Sequence, residues 1–193
     1  MDNKFLTETA IIDSDHEQLI SYAMKVTKGS GGHMKQAVEL YYAVRDDVAY
    51  EFVFPHAPKY YRASNVLKRR RGFCISKAAL LCALARACGI PSRVCFADVK
   101  NHLVTEKTIS YVGSDIFVFH GITDIFLDGK WVKATPAFDR EFCRRLDVPP
   151  LEFDGRNDSV FQPYNGVGNQ YMEYVRYHGC YAEVPVKKIL AAW

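Results

Sequence analysis

The sequence predicts an α+β fold in which N-terminal helices precede one buried central helix, and this helix packs on an antiparallel β-sheet. Three observations support the prediction. Helical periodicity dominates the N-terminal part of the chain, and residues 74–88 are apolar on nearly all sides, as in a buried helix. Residues 115–135 read as two strands around Asp128-Gly129, the preferred pair of a type I′ hairpin turn. Helices that precede strands are typical of α+β proteins.

The N-terminal part is predicted to be mainly helical. Residues 5–12 alternate loosely and indicate an edge strand or an extended lead-in. A capped helix is expected to run to about Thr27, and a second helix is expected over about 34–47, after a glycine-rich break. The aromatic stretch 52–61 contains prolines and is interpreted as an irregular connection.

The central helix is expected to run from Cys74 to Cys88, and it is expected to end there because Gly89 is a good C′ residue and Pro91 stops the helix. A strand over 93–99 follows, and then the hairpin strands over 115–127 and 130–135. The remaining chain is predicted to hold a short helix near 140–146, a loop rich in glycine, asparagine and proline, and a tyrosine-rich segment.

We expect one domain that spans residues 1–193, with a catalytic core over about 34–139 and a C-terminal segment over 140–193 that wraps around it. Two interpretations of the tyrosines in this segment stay open: they close over a cleft as a lid, or they pack the segment on the core. These tyrosines are Tyr164, Tyr171, Tyr174 and Tyr177.

Composition argues against several classes of function. The chain has 193 residues, of which 49% are hydrophobic, and its formal charge is only +3, so a nucleic-acid-binding face is not expected. No apolar run is long enough for a membrane span, and no signal-peptide pattern opens the sequence. A cytoplasmic location is therefore expected, and disulfides are not expected in that reducing compartment.

The six cysteines include no Cys-x-x-Cys pair, so neither a metal site nor a cofactor is predicted. Cys82, Cys88 and Cys95 have apolar neighbours in the sequence and are interpreted as small core residues.

Cys74 is the candidate nucleophile. It lies where the basic run Lys68–Arg71 ends and the apolar helix begins, and Gly72 allows a close backbone approach. The helix N-terminus and the preceding cations favour the thiolate, which is the nucleophilic form of cysteine. The alternative is a buried cysteine at a helix start that follows a solvated basic loop.

His120 is the candidate base, because an imidazole inside an apolar strand requires a hydrogen-bond partner. If Asp128-Gly129 forms a two-residue turn, opposed residue numbers sum to 257 and His120 faces Ala137. Thr135 and Asp139 are then its diagonal neighbours, at about 7–8 Å. Either side chain would orient the imidazole, and Asp139 would also stabilise its charged form. A structural histidine is the alternative.

Two sequence blocks resemble the transglutaminase-like superfamily. The first is Gly72-Phe73-Cys74, an apolar helix, and then Arg86-Ala87-Cys88-Gly89-Ile90-Pro91-Ser92-Arg93-Val94. It is similar to the family's G-x-C and R-A-x-G-I-P-A-R-V. The second is His120-Gly121-Ile122-Thr123-Asp124-Ile125-Phe126-Leu127-Asp128-Gly129-Lys130-Trp131-Val132, which is similar to H-A-W-x-E-V-Y-L-D-G-x-W-V. Together with their surroundings the blocks cover about residues 70–139.

The resemblance implies a papain-like fold and a Cys-His-Asp triad, with Cys74 as nucleophile and His120 as base. The family's W-V-x-x-D-P motif aligns its aspartate with Thr135, whose hydroxyl accepts a hydrogen bond but carries no charge. Asp139 is the other candidate for the third position.

The activity that the resemblance implies is acyl transfer from an amide, isopeptide or (thio)ester bond of a peptide, protein or small-molecule substrate. Hydrolysis is favoured over cross-linking. Two alternatives stay open: a small-molecule acyltransferase, and a catalytically weak or inactive binding domain.

Overall fold

The computed structural model describes residues 3–51, 53–165 and 167–193. It has the α+β architecture expected from the sequence, in a papain- and transglutaminase-like arrangement of helices packed against an antiparallel sheet. None of the helices in these ranges is both long and apolar enough to cross a membrane.

Three helices precede the central one: α1 (Glu17–Val26), α2 (His33–Asp47) and α3 (Ala63–Arg69). Residues 5–12 form no strand, contrary to one of the two expectations, and only the 3₁₀ turn Asn3–Phe5 touches this region. Two short strands, β1 (Ala49–Tyr50) and β2 (Arg71–Gly72), form a parallel pair. This pair links the residues that follow α2 to the residues just before the central helix.

The central helix α4 (Cys74–Ala87) confirms the prediction of a buried helix. Residues 75–86 are all buried, including two cations. Lys77 Nζ donates hydrogen bonds to the carbonyl oxygens of Arg45 and Val48, at 2.9 and 2.6 Å. Burial lowers the pKa of Lys77 to about 7. Because these two carbonyls lie at the end of α2, Lys77 ties α4 to that helix terminus.

The main sheet has the strand order β5-β4-β3-β6 and is antiparallel throughout. Its strands are β3 (Ser92–Asn101), β4 (Ile116–Leu127), β5 (Lys130–Ala134) and β6 (Met172–Tyr181). The predicted hairpin is confirmed: Asp128 and Gly129 both have positive φ angles, of 47° and 86°, as a type I′ turn requires.

The hairpin ladder is shorter than expected. Paired residues run from Leu127↔Lys130 to Thr123↔Ala134, which is the predicted register, but the pairing ends there. Pro136 has no N–H to continue the ladder, and the Ser159 N–H donates to the Lys133 carbonyl at 2.8 Å instead. The expectation that Ala137 pairs with His120 is therefore wrong.

The C-terminal segment completes the sheet as well as covering the core. It contains α6 (Arg140–Leu146), which was predicted, and α7 (Val186–Ala192), which was not. Its strand β6 pairs along β3 and was not predicted either. A further helix, α5 (Glu106–Val112), connects β3 to β4.

Cys95 and Cys180 form a disulfide between β3 and β6, which corrects both the expectation of no disulfides and the assignment of Cys95 as a free core cysteine. The physical reason is the β3–β6 register, which places the two residues directly opposite each other with Cα atoms 4.0 Å apart. Because β6 was not expected, no local pattern indicated that these two cysteines would pair.

Two apolar clusters form the interior. The larger lies between the helices and the sheet, and the smaller lies under the C-terminal segment. The smaller cluster consists of Val99, Ala137, Cys143, Val148, Phe161, Tyr171 and Met172. Cys74 packs against both clusters, so the first turn of α4 lies at their junction.

Candidate active site

Cys74 is the first residue of α4 and is partly exposed. The extended backbone of Phe73 precedes it, and Ser76 secures the turn because its hydroxyl accepts the Phe73 N–H at 3.0 Å and donates to the Phe73 carbonyl at 3.1 Å. The thiol therefore projects from the N-terminal end of a helix whose remaining residues are almost all buried.

Gly121 brings α4 against β4. A Cβ atom on Gly121 would lie 2.7 Å from the Cα of Ile75 and 3.2 Å from the carbonyl oxygen of Cys74. Real Cβ atoms essentially never approach a backbone atom to 2.7 Å, so only glycine allows this contact. The Gly121 N–H interacts with the Cys74 sulfur. Cys74 consequently lies against the residue that follows His120.

Burial raises the pKa of the Cys74 thiol, and the N–H groups of Gly121 and Ile75 oppose this only in part. The expectation that the basic run Lys68–Arg71 lowers the pKa is not met. All four side chains are exposed. Arg69 bonds to Glu51 at 2.9 Å, and Arg70 pairs with Asp47 at 3.9 Å. No cation of the run is among the groups that shift the thiol pKa.

His120 lies on β4 opposite Ala97 and is only 5% exposed. Its Nε2 atom is buried and has no hydrogen-bond partner among the described residues. The imidazole packs against the ring of Phe161, with 4.8 Å between ring centroids. Burial lowers the pKa of His120 to about 3, so the ring is neutral at neutral pH.

Thr135 lies just beyond the end of the hairpin ladder and is 1% exposed. Its Oγ1 atom is buried and makes no hydrogen bond of good geometry within the described chain. The Tyr174 hydroxyl lies close enough to Thr135 for the threonine to lower the tyrosine pKa, against the larger effect of burial. The edge of the Tyr174 ring also faces the His120 imidazole, at 6.4 Å between centroids.

The Asp139 carboxylate has structural partners. Its Oδ1 atom accepts the Phe142 N–H at 2.8 Å and thereby caps α6, and its Oδ2 atom accepts the Tyr50 N–H at 2.6 Å. No hydrogen bond joins it to His120 in the part of the chain that the structure describes. The sequence-based pairing of Asp139 with His120 depended on the longer hairpin register, which does not form.

Cys74 and His120 line the same cavity, whose volume is about 360 Å³. A second cavity of about 220 Å³ contains Thr135 and lies beside the first, because Phe138, Phe161 and Tyr171 line both. The structure thus brings Cys74 and His120 to one cleft and places Thr135 behind the shared aromatic wall.

Sequence reasoning did not single out Tyr50, Phe138 or Phe161, although all three line the cleft. The only signal was the abundance of aromatic residues. Of the four tyrosines considered as a lid, Tyr171 lines the cleft and the Tyr174 hydroxyl accepts the Phe161 N–H at 3.2 Å. Tyr164 and Tyr177 are 61% and 65% exposed.

One group of possible metal ligands occurs among the described residues: Cys95, Asp124 and Cys180, with ligand atoms within 4.8 Å of one another. The two sulfur atoms are bonded to each other, and Arg93 pairs with the Asp124 carboxylate at 2.8 Å. These donors are therefore already in use.

Comparisons with known proteins identify the family and the fold. A sequence model of the transglutaminase-like superfamily matches residues 20–136. A solved structure of a proposed cysteine protease from Cytophaga hutchinsonii superposes with a TM-score of 0.55 at 18% identity, over 94% of this chain and 56% of that chain. A proposed protease from Parabacteroides distasonis aligns with a TM-score of 0.48 at 18% identity, over 68% of this chain and 26% of that chain. A search of curated proteins gave no match. The chain spans little more than half the length of the first structure.

Proposed function

The chain belongs to the transglutaminase-like superfamily, and from this premise we propose that it is a cysteine-nucleophile enzyme that hydrolyses an amide, isopeptide or (thio)ester bond. The observation that carries the proposal is the meeting of Cys74 and His120 in one cavity at the junction of α4 and β4. A thiol at a helix N-terminus beside an imidazole is the arrangement that nucleophilic acyl transfer needs.

In the proposed reaction His120 removes the proton of Cys74 as the sulfur attacks the substrate carbonyl carbon. A new S–C bond forms, and the carbonyl π electrons move to the oxygen. The partial positive charge at the N-terminus of α4 stabilises the resulting oxyanion. The intermediate then collapses, the bond to the leaving group breaks, and His120 gives its proton to that group. Water releases the acid by the same steps and restores the thiol.

Cys74 and His120 are both uncharged before the reaction begins, and this determines when the proton moves in the proposed mechanism. Burial raises the thiol pKa and lowers the imidazole pKa to about 3, so the Cys74 proton moves only as the carbonyl is attacked. We infer that Nδ1 is the nitrogen that faces the cleft, because Nε2 is the enclosed one. Thr135 Oγ1 is the candidate to accept a hydrogen bond from the Nε2–H group, since both atoms are buried without a partner among the described residues and both residues adjoin Tyr174.

Water is proposed as the acceptor because hydrolysis needs no second substrate beside Cys74 in its cavity of about 360 Å³. The structural relative from Cytophaga hutchinsonii is described as a cysteine protease, which fits hydrolysis. A small-molecule acyltransferase would use the same cavity and differ only in its acceptor.

A non-catalytic binding domain is the second candidate, favoured by one observation. Thr135 occupies the position where the family pattern has an aspartate, so no carboxylate stabilises a charged His120 there. Such a domain would keep Cys74 and His120 without turnover.

The test is hydrolysis of p-nitrophenyl esters, aryl thioesters and aminocoumarin amides by the wild-type protein. Cys74→Ser and His120→Ala should each lower the rate at least about 10²-fold, the usual size of nucleophile and general-base effects. Cys88→Ser is the matched control, since Cys88 is also a partly exposed free cysteine but lies at the opposite end of α4. Turnover that survives Cys74→Ser, or no turnover of any substrate, would reject the enzyme.

A further inference from the structure

We propose that the acyl group transferred to Cys74 is uncharged and apolar, and that it binds in the cavity of about 360 Å³ beside Cys74 and His120, called here the acyl cavity. This inference rests on the proposed function, because it names the substrate class of the same site. It goes beyond that function because acyl transfer from a cysteine does not by itself select a charged, polar or apolar acyl group.

The lining of the acyl cavity carries the inference. Among the described residues that line it there is no aspartate, glutamate, lysine or arginine. Most of the lining is aliphatic or aromatic. The apolar members include Val99, Leu103, Phe117, Phe142, Val148 and Met172. A charged acyl group would lose its hydration there without gaining a partner, which costs several kcal/mol, whereas an apolar group gains from burial.

Apolar side chains line both the exposed and the buried parts of the cavity, and its neutral polar lining residues besides the tyrosines, Cys74 and His120 are Asn101, Thr105 and Thr108. Leu103 and Leu146 are 40% and 46% exposed, and both line the cavity. Val99 and Met172 are 2% and 4% exposed and belong to the smaller apolar cluster under the C-terminal segment. An apolar chain that enters past the two leucines therefore meets apolar side chains at both the exposed and the buried end of the cavity.

The phenol groups of the inner cavity suit an uncharged substrate group that accepts a hydrogen bond. Tyr50 and Tyr171 line it, and burial raises the pKa of both phenols, so they stay protonated. The Tyr171 hydroxyl is buried without a hydrogen-bond partner among the described residues. A protonated phenol donates one hydrogen bond, which an amide, ester or thioester carbonyl accepts. A neutral phenol carries no charge that would balance a carboxylate or an ammonium group.

The neighbouring cavity makes the contrast. It is lined by Glu152, Asp158 and Gln162 as well as apolar residues, and it lies across Phe138 and Phe161 from the acyl cavity. Charged and polar lining residues thus occur close by, but they are on the far side of the aromatic wall. Cys74 lies on the other side of this wall, where the described lining residues include none that is charged.

The experiment measures Cys74-dependent kcat/KM for p-nitrophenyl esters from acetyl to decanoyl, with the rate of Cys74→Ser subtracted. We expect kcat/KM to rise by up to about fourfold per added methylene until the cavity is filled, since each buried methylene contributes about 0.8 kcal/mol. An acyl chain of equal length that ends in a carboxylate should react at least about 10²-fold more slowly than its uncharged counterpart.

Substitutions of exposed residues that line the cavity test whether the dependence of kcat/KM on chain length arises there. Leu103→Asp and Leu146→Asp should each lower the ratio of decanoyl to acetyl kcat/KM by about tenfold or more. Both leucines are partly exposed, so folding should tolerate the change. Met24→Asp is the matched control, because Met24 is exposed on α1 and does not line the cavity.

The outcomes separate the inference from the proposed function. Cys74-dependent turnover that is independent of chain length, or faster with the carboxylate-ended chain, would overturn the inference and leave the enzyme intact. If no ester is turned over, labelling of Cys74 by iodoacetamide and by N-octyl iodoacetamide still tests the cavity, by peptide mass spectrometry. Faster labelling by the octyl reagent, reduced by Leu103→Asp, supports the apolar cavity. Equal labelling rejects it.

Discussion

The backbones of Gly121 and Ile75 are so close that a methyl group on Gly121 would not fit between them, and this contact positions the candidate catalytic pair. A Cβ on Gly121 would lie 2.7 Å from the Ile75 Cα and 3.1 Å from its backbone nitrogen. Because Ile75 follows Cys74 and Gly121 follows His120, this contact sets how near the thiol and the imidazole come. The proposed chemistry depends on that separation.

Gly121→Ala should therefore lower both activity and stability. The added methyl group must push α4 away from β4, which we expect to cost about 1–3 kcal/mol of unfolding free energy and about 10²-fold in Cys74-dependent kcat/KM. Denaturant unfolding and ester hydrolysis measure the two effects. Gly31→Ala is the matched control, since no atom lies within 4 Å of its added Cβ. Equal activity of both variants would disprove the positional role of Gly121.

The alkylation of Cys74 should depend on pH as that of a buried, neutral thiol. Burial raises its pKa above the ordinary value, so the thiolate fraction and the alkylation rate should keep rising above pH 8.5. The pKa of His120 is lowered to about 3, so the imidazole stays neutral from pH 4 upward and adds no plateau near pH 6. Iodoacetamide labelling between pH 5 and 10 checks this. Fast labelling at pH 6 that His120→Ala removes would instead reveal a thiolate–imidazolium pair.

Thr135→Asp should strengthen the candidate site by restoring the charge of the family pattern. A carboxylate beside His120 favours the imidazolium, so the histidine pKa should rise and Cys74 alkylation should shift to lower pH. Thr135→Asn, similar in size but neutral, is the control, and circular dichroism verifies that both variants fold. If the aspartate and asparagine variants label Cys74 with the same pH profile, Thr135 does not adjoin the imidazole.

Asp139→Asn separates a capping role from a catalytic one. Asparagine caps helices about as well as aspartate, but its amide cannot replace both acceptors used by Phe142 and Tyr50. We expect unfolding free energy to fall by about 1–3 kcal/mol while Cys74-dependent kcat/KM changes by less than about threefold. A loss of kcat/KM near 10⁴-fold, as for a triad aspartate, would show instead that Asp139 acts in catalysis.

The Cys95–Cys180 disulfide should stabilise the fold. It closes a loop across 85 residues of sequence separation, for which chain entropy gives at most about 4–5 kcal/mol. Reduction, or the Cys180→Ser variant, should lower the melting temperature by several degrees. Cys88→Ser is the control, as Cys88 is a free cysteine. An unchanged melting temperature under reducing conditions would show that the bond contributes nothing.

Local pattern was enough for the elements that lie near each other in sequence. The all-round apolar run after Cys74 predicted α4, since a helix without a polar face must be buried on all sides. The Asp128-Gly129 pair predicted the hairpin and its register, since two positive φ angles suit those residues. Both candidate catalytic residues, Cys74 and His120, were found in this way because each lies in a locally unusual setting.

The sequence by itself thus determined α1, α2, α4, α6 and the hairpin, together with the two residues that carry the proposed chemistry. Tertiary structure decided the rest, because it depends on contacts between distant segments. It placed β6 beside β3 and so joined Cys95 to Cys180. It ended the hairpin at Ala134, which left Asp139 to cap α6. It also buried His120 and part of Cys74, and this raises the pKa of the thiol, which the sequence predicted to be lowered. The desolvation of these two polar side chains is a property of the assembled fold, and no local pattern around them encodes it.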